Sequence, residues 1–113
     1  MEEKEIEEIK EGTILNTSFG YDMTINHFCV VVQKGKTLLC QLIGKKSLSS
    51  DDSSVIPDIT NKFNSPFRLR VYLRDRYSLL SGGYPAYEDG ILFRKGANWR
   101  IWNGKPVYEN HED

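Results

Sequence analysis

The chain is predicted to be a single small β-rich domain, a strongly bent antiparallel sheet or barrel of five to seven short strands with a short N-terminal helix or arm. Three observations predict it. Its 113 residues fit one domain with one core. Its apolar residues fall into short β-branched and aromatic runs separated by Gly, Pro, Asn and Ser. No segment carries the wide apolar stripe of a core helix.

Residues 1–11 have good helix formers, but Ile6 and Ile9 supply only a narrow apolar stripe, so this segment reads as a surface helix or frayed arm. Gly12 ends it, and Thr13 to Phe19 reads as a first strand leading into a turn at Gly20-Tyr21-Asp22. His27 to Gln33 and Thr37 to Ile43 form a hairpin about Lys34-Gly35-Lys36. Pairing centred on Gly35 sets Val30 opposite Cys40 and puts Cys29 and Cys40 on opposite pleat faces, which argues for two separate buried thiols. Residues 44–66, with a Ser-rich run and two prolines, read as a long loop. Phe67 to Arg74 alternates strictly, with Leu69, Val71 and Leu73 on one side and Arg68, Arg70, Tyr72 and Arg74 on the other. Turns follow near Ser81-Gly82-Gly83 and Asp89-Gly90. Short strands at Ile91 to Arg94 and Trp99 to Trp102, an Asn103-Gly104 hairpin turn and Pro106 to Tyr108 close the domain. The domain thus spans 12–108, between an acidic arm at 1–11 and an acidic tail at 109–113.

The net charge of −1 conceals an uneven layout. Residues 1–11 carry six Glu and two Lys, residues 109–113 carry three acids, and the body between them is net +6. The acidic start is unlike a signal peptide and no apolar run reaches the roughly 18 residues of a membrane span, so a cytoplasmic location without membrane contact is expected.

The basic face of Arg68, Arg70, Tyr72 and Arg74, extended by Arg76 and Tyr77, is the first functional candidate. Arginines at period two stand roughly 7 Å apart, comparable with successive phosphates, and a Tyr can stack a base. The plainer reading is a solvated sheet face with Asp75 and other acids pairing some arginines. The acidic ends are either solubilising arms, an occupant of the basic face in the free protein, or a mimic of nucleic acid. Tyr21, Asp22 and Asn26 form either a structured corner or an exposed recognition tip.

Chemical sites are poorly supported. His27 and Cys29 share a strand face, with only Cys40 and His111 as distant helpers, short of a recognisable metal set. Ser18, Asp22 and His27 lack a nucleophile elbow, and Gly82-Gly83 does not open a helix as a phosphate loop would. No catalytic residue, cofactor or metal is therefore expected.

The stretch from Ser18 to Phe28, SFGYDMTINHF, followed by Trp102-Asn103-Gly104-Lys105-Pro106-Val107-Tyr108, resembles a family of small uncharacterised proteins encoded by bacteriophages and other bacterial mobile elements. That family's pattern is an aromatic-Gly-Tyr-Asp turn, an Asn and an aromatic strand, a basic strand, and a closing Trp-x-Gly-x-Pro-x-Tyr. Phe19, Met23 and Cys29 depart from it, standing where Trp, Gln and Tyr are usual. The resemblance implies a non-enzymatic accessory protein that binds a host macromolecule, such as a defence protein of the CRISPR effector kind. The alternative is a nucleic-acid-binding module using the basic strand.

Overall fold

A computed structural model describes residues 7–19, 25–48, 54–74, 77–81 and 98–108. It contains eight strands: β1 (Ile14–Phe19), β2 (Ile25–Lys34), β3 (Thr37–Ser47), β4 (Ser54–Lys62), β5 (Phe67–Arg74), β6 (Tyr77–Ser81), β7 (Asn98–Ile101) and β8 (Val107–Tyr108). The protein is mainly β and antiparallel, as the sequence predicts. The pairing order β2-β1-β7-β6-β5-β3 returns to its start because β3 also pairs with β2, curling the sheet into a small barrel. The eleven-residue β3 pairs with β5 through Thr37 to Cys40 and with β4 through Ile43 to Ser47. β4 and β8 thus extend from the barrel as a flap.

Period-two alternation sorts the apolar residues into two cores. Leu15, Cys29, Val31, Leu38, Cys40, Leu42, Leu69, Leu80 and Trp99 fill the barrel, with Phe67 tilted against Trp99 at 5.8 Å. Phe28, Val30, Ile43 and Val55 form a smaller core on the outer side, closed by Ile14, Trp102 and Val107. There the Trp102 ring stands edge-on to Phe28 at 6.4 Å.

Four sequence expectations are corrected. Residues 44–66 are not one long loop, because β3 runs on to Ser47 and β4 occupies 54–62. Their alternation is hidden by an irregularity: Gly44 lies opposite Asp58 but Ile43 lies opposite Lys62, so residues 59–61 bulge out of the ladder. Asp58 shapes that bulge by accepting from the Thr60 backbone N–H (3.1 Å) and hydroxyl (2.6 Å). Gly44 makes room for it, since a Cβ there would collide with the Asn61 side chain.

The second correction concerns the thiols. Val31, not Val30, faces Cys40, and Cys29 faces Leu42, with a bulge between Val31 and Gln33. A one-residue slip exchanges pleat faces, so both cysteines point into the barrel. They are free thiols. Burial, and next the hydrogen bond with Cys40, push the Cys29 thiol well above the ordinary thiol range.

Third, the N-terminal segment is not purely superficial. Glu7 and Glu8 form a helical turn on the surface, but Ile9 is 2% exposed and belongs to the barrel core. A single side chain can plug a barrel end without an amphipathic stripe. Backbone bonds from Gly12 N to Val31 O (2.8 Å) and from Val31 N to Thr13 O (2.9 Å) seat it there.

Fourth, Asn103-Gly104 makes a turn, with Gly104 at φ +83° and Lys105 N donating to Asn103 Oδ1. It does not make a hairpin, because β7 joins β1 and β6 while β8 joins β4. The strand expected at Ile91 to Arg94 and the turns at 20–22, 82–83 and 89–90 lie outside the described residues.

Candidate macromolecule-binding surface

β5 places the basic side chains. Phe67 and Leu69 are buried, whereas Arg68 and Arg70 between and beyond them are exposed on the outer side. On β3, Thr37 lies opposite Arg70 and Leu39 opposite Arg68. Arg68 Nη1 donates to Thr37 Oγ1 at 3.1 Å, which restrains the guanidinium diagonally across the two strands. Exposed Lys36 precedes Thr37. Beyond residues 7–11, which carry Glu7, Glu8 and Glu11, Asp58 is the only acidic side chain among the described residues. It lies 3.9 Å from Lys46, and its carboxyl is held below the usual range chiefly by the Thr60 hydroxyl. This outer face therefore offers cationic donors on a rigid strand, an arrangement suited to anionic oxygen atoms.

Among the other residues singled out by sequence, Tyr72 and Arg74 continue the β5 backbone. Their side chains, and Tyr21, Asp22, Asp75 and Arg76 entirely, lie outside the described residues.

Asn26 is described, and its expected exposure at a recognition tip is corrected: it is 1% exposed. It faces Ser18 across the β1–β2 ladder, on the side that β8 closes. Its Oδ1 accepts from Ser18 Oγ at 2.6 Å and, at 3.5 Å, from Asn16 Nδ2. Its Nδ2 donates to the Tyr108 carbonyl at 2.6 Å, and its own carbonyl accepts from Lys45 Nζ at 2.9 Å. A buried amide with this set of bonds joins strands together.

Sequence reading missed Arg100, whose Nη2 donates to Asn16 Oδ1 (3.1 Å) and Ser18 Oγ (3.2 Å). The available signal was alternation: Asn16 and Ser18, then Asn26 and Phe28, occupy one face, and Arg100 lies opposite Asn16 on β7. The result is a second cationic group, exposed above a buried polar network.

Among the described residues no three His, Cys, Asp or Glu side chains gather as metal ligands, and no helix is long and apolar enough to cross a membrane. No protein-family model, curated protein or solved structure matches the chain.

Proposed function

We propose that this chain is a non-enzymatic accessory protein of a bacteriophage or other mobile element that binds an acidic surface on a host macromolecule, a defence protein such as a CRISPR effector. One observation carries the reading: Arg68 and Arg70 project together from a strand whose intervening Leu69 is locked in the core. The cations are thus presented on a rigid element, so little ordering is required of the backbone on binding. The resemblance of the Ser18 to Phe28 and Trp102 to Tyr108 segments to mobile-element proteins supports the biological setting.

The experiment compares the native chain with Arg68→Glu/Arg70→Glu as baits in host extract, scored by quantitative mass spectrometry, followed by titration of the captured protein in purified form. Specific capture that the double variant loses, with its unfolding midpoint unchanged, is the expected result. Capture retained in full by the double variant defeats the proposal.

Nucleic acid is a second reading, favoured by the period-two spacing of Arg68 and Arg70 along β5. It requires affinity for a labelled oligonucleotide that falls steeply with salt. Absence of binding at about 50 mM salt eliminates it.

A further inference from the structure

We infer that the polar step on the outer face of β1 and β2 is a binding site for a phosphoryl group, held between Arg100 and Lys45. The site is separate from the Arg68 and Arg70 surface on β5 and stands without it.

The step lies where the outer layer ends. Ile14, Asn16 and Ser18 of β1 share the outer face with Asn26, Phe28 and Val30 of β2. Trp102 and Val107 cover this face over Ile14 and Phe28, and Asn26 Nδ2 ties down the end of their segment through the Tyr108 carbonyl. Beside that bond Ser18 and Arg100 are exposed, with Asn16 and Asn26 buried beneath them.

Two cations converge there. From β7, Arg100 Nη2 donates to Asn16 Oδ1 (3.1 Å) and Ser18 Oγ (3.2 Å), while among the described residues Nη1 and Nε donate to nothing. From the other side, the pairing of β3 with β2 ends at Ile43 opposite Phe28, and Lys45 beyond it sends Nζ to the Asn26 carbonyl at 2.9 Å. The two head groups thus end over neighbouring strands, which run roughly 4.8 Å apart. A tetrahedral oxyanion bridges such a gap with a hydrogen bond of about 2.8 Å on either side.

In the bonds just described, both cations are oriented by neutral oxygens, which leave their charge in place. Asp58 does not cancel it, because Asp58 and Lys46 share one pleat face of the flap and Lys45 takes the other. Glu7, Glu8 and Glu11 precede Ile14, at the far end of β1, roughly 13 Å along the strand from Ser18. Like charges held close raise each other's energy, and an anion between them reverses the sign of the interaction. The doubly charged phosphoryl group matches this pair of cations better than a single carboxylate does. Donors already fixed by the sheet require little ordering on binding.

The test titrates the full, isotopically labelled chain with inorganic phosphate against chloride at matched ionic strength, following the Arg100 Nε–H and Ser18 amide signals by NMR. Expected is a saturable shift at both, with a dissociation constant raised about tenfold or more by Arg100→Gln and about threefold or more by Lys45→Gln. Arg68→Glu/Arg70→Glu should leave that constant within about twofold, and loss of the shift in that double variant would place the anion on β5 and overturn the inference. A nucleoside monophosphate and a phosphoserine peptide then identify the carrier, as the one that binds more tightly than the free ion; if neither does, phosphate itself is the ligand. No saturable shift at Arg100 by about 50 mM phosphate overturns the inference, as does a constant that neither single variant changes. Arg100→Gln also removes the bonds to Asn16 and Ser18, so its unfolding midpoint is measured alongside. If it fails to fold, Lys45→Gln decides alone, and an unchanged constant there refutes the site.

Discussion

At the scale of single residues, burial separates positions that hold the fold from positions that present chemistry. Asn26 and Arg70 both belong to the sequence-derived set of contact residues, yet one is 1% exposed and the other lies on the surface. Asn26→Ala removes the acceptor of Ser18 Oγ and the donor to the Tyr108 carbonyl. Buried groups that lose their partners cost about 1–3 kcal/mol, and urea unfolding should show that loss as a lower midpoint at constant slope. A change below about 0.5 kcal/mol would show that the network does not join the strands. Arg70→Glu, by contrast, should stay within about 0.5 kcal/mol of the native chain. Cys29 gives a kinetic counterpart: the thiolate is the nucleophile, and burial holds this thiol protonated. Iodoacetamide at pH 8 should therefore label Cys29 only under unfolding conditions, and rapid labelling of the native protein would contradict its place in the barrel.

At the scale of elements, β5 was legible and β4 was not, for the same physical reason. Phe67 and Leu69 lie in the core while Arg68 and Arg70 between and beyond them are exposed, so the sequence alternates, and the observed bounds Phe67–Arg74 match the expected ones. In β4 only Val55 is fully buried, Pro57 interrupts, and three bulged residues break the period. Its specification lies instead in Gly44 and in the turn made by Asp58 and Thr60. The thiol faces were lost in the same way, since the bulge at Val32 shifts a register that equal spacing cannot anticipate. Of the candidate site, the exposed positions of Arg68 and Arg70 followed from alternation, whereas the burial of Asn26 depended on β8, a distant segment. Gly44→Ala should cost about 1–3 kcal/mol, because the new methyl meets the Cγ and Cβ of Asn61 as well as its amide end, so the bulge itself must shift, and a neutral effect in thermal unfolding would mean that the exposed Asn61 side chain moves freely. Asp58 adds a pH dependence. Its folded pKa is depressed, chiefly by Thr60, so its contribution is present above its unfolded pKa of about 3.9 and disappears as pH falls through the lower folded value. Thr60→Val should flatten that acid limb of the stability profile; an unchanged acid limb would assign it to other carboxylates.

At the scale of the whole molecule, the two cores differ in how they are closed. Every strand of the barrel ring has ring neighbours on both sides, and its interior gathers residues from six strands together with Ile9. The outer core depends on β4, whose pairing with β8 covers only Ser54 and Val55, and on the Trp102 to Val107 segment laid across Phe28. Opening β4 and β8 breaks the outer core while leaving the barrel pairings intact, whereas opening β2 breaks both ladders that flank it and the barrel core with them. Elements with fewer buried apolar contacts open at lower free energy than the global transition. Native-state hydrogen exchange should therefore resolve two steps: amides of Val55 to Ser47 pairing exchange first through a sub-global opening, and amides of Cys29 to Val31 exchange only with complete unfolding. Asn26→Ala should widen the gap, since it severs the bond to Tyr108 that holds β8 against β2. If the β3–β4 and β1–β2 amides instead exchange at one common free energy in both proteins, flap and barrel form a single cooperative unit, and the outer core is as integral to the fold as the inner one.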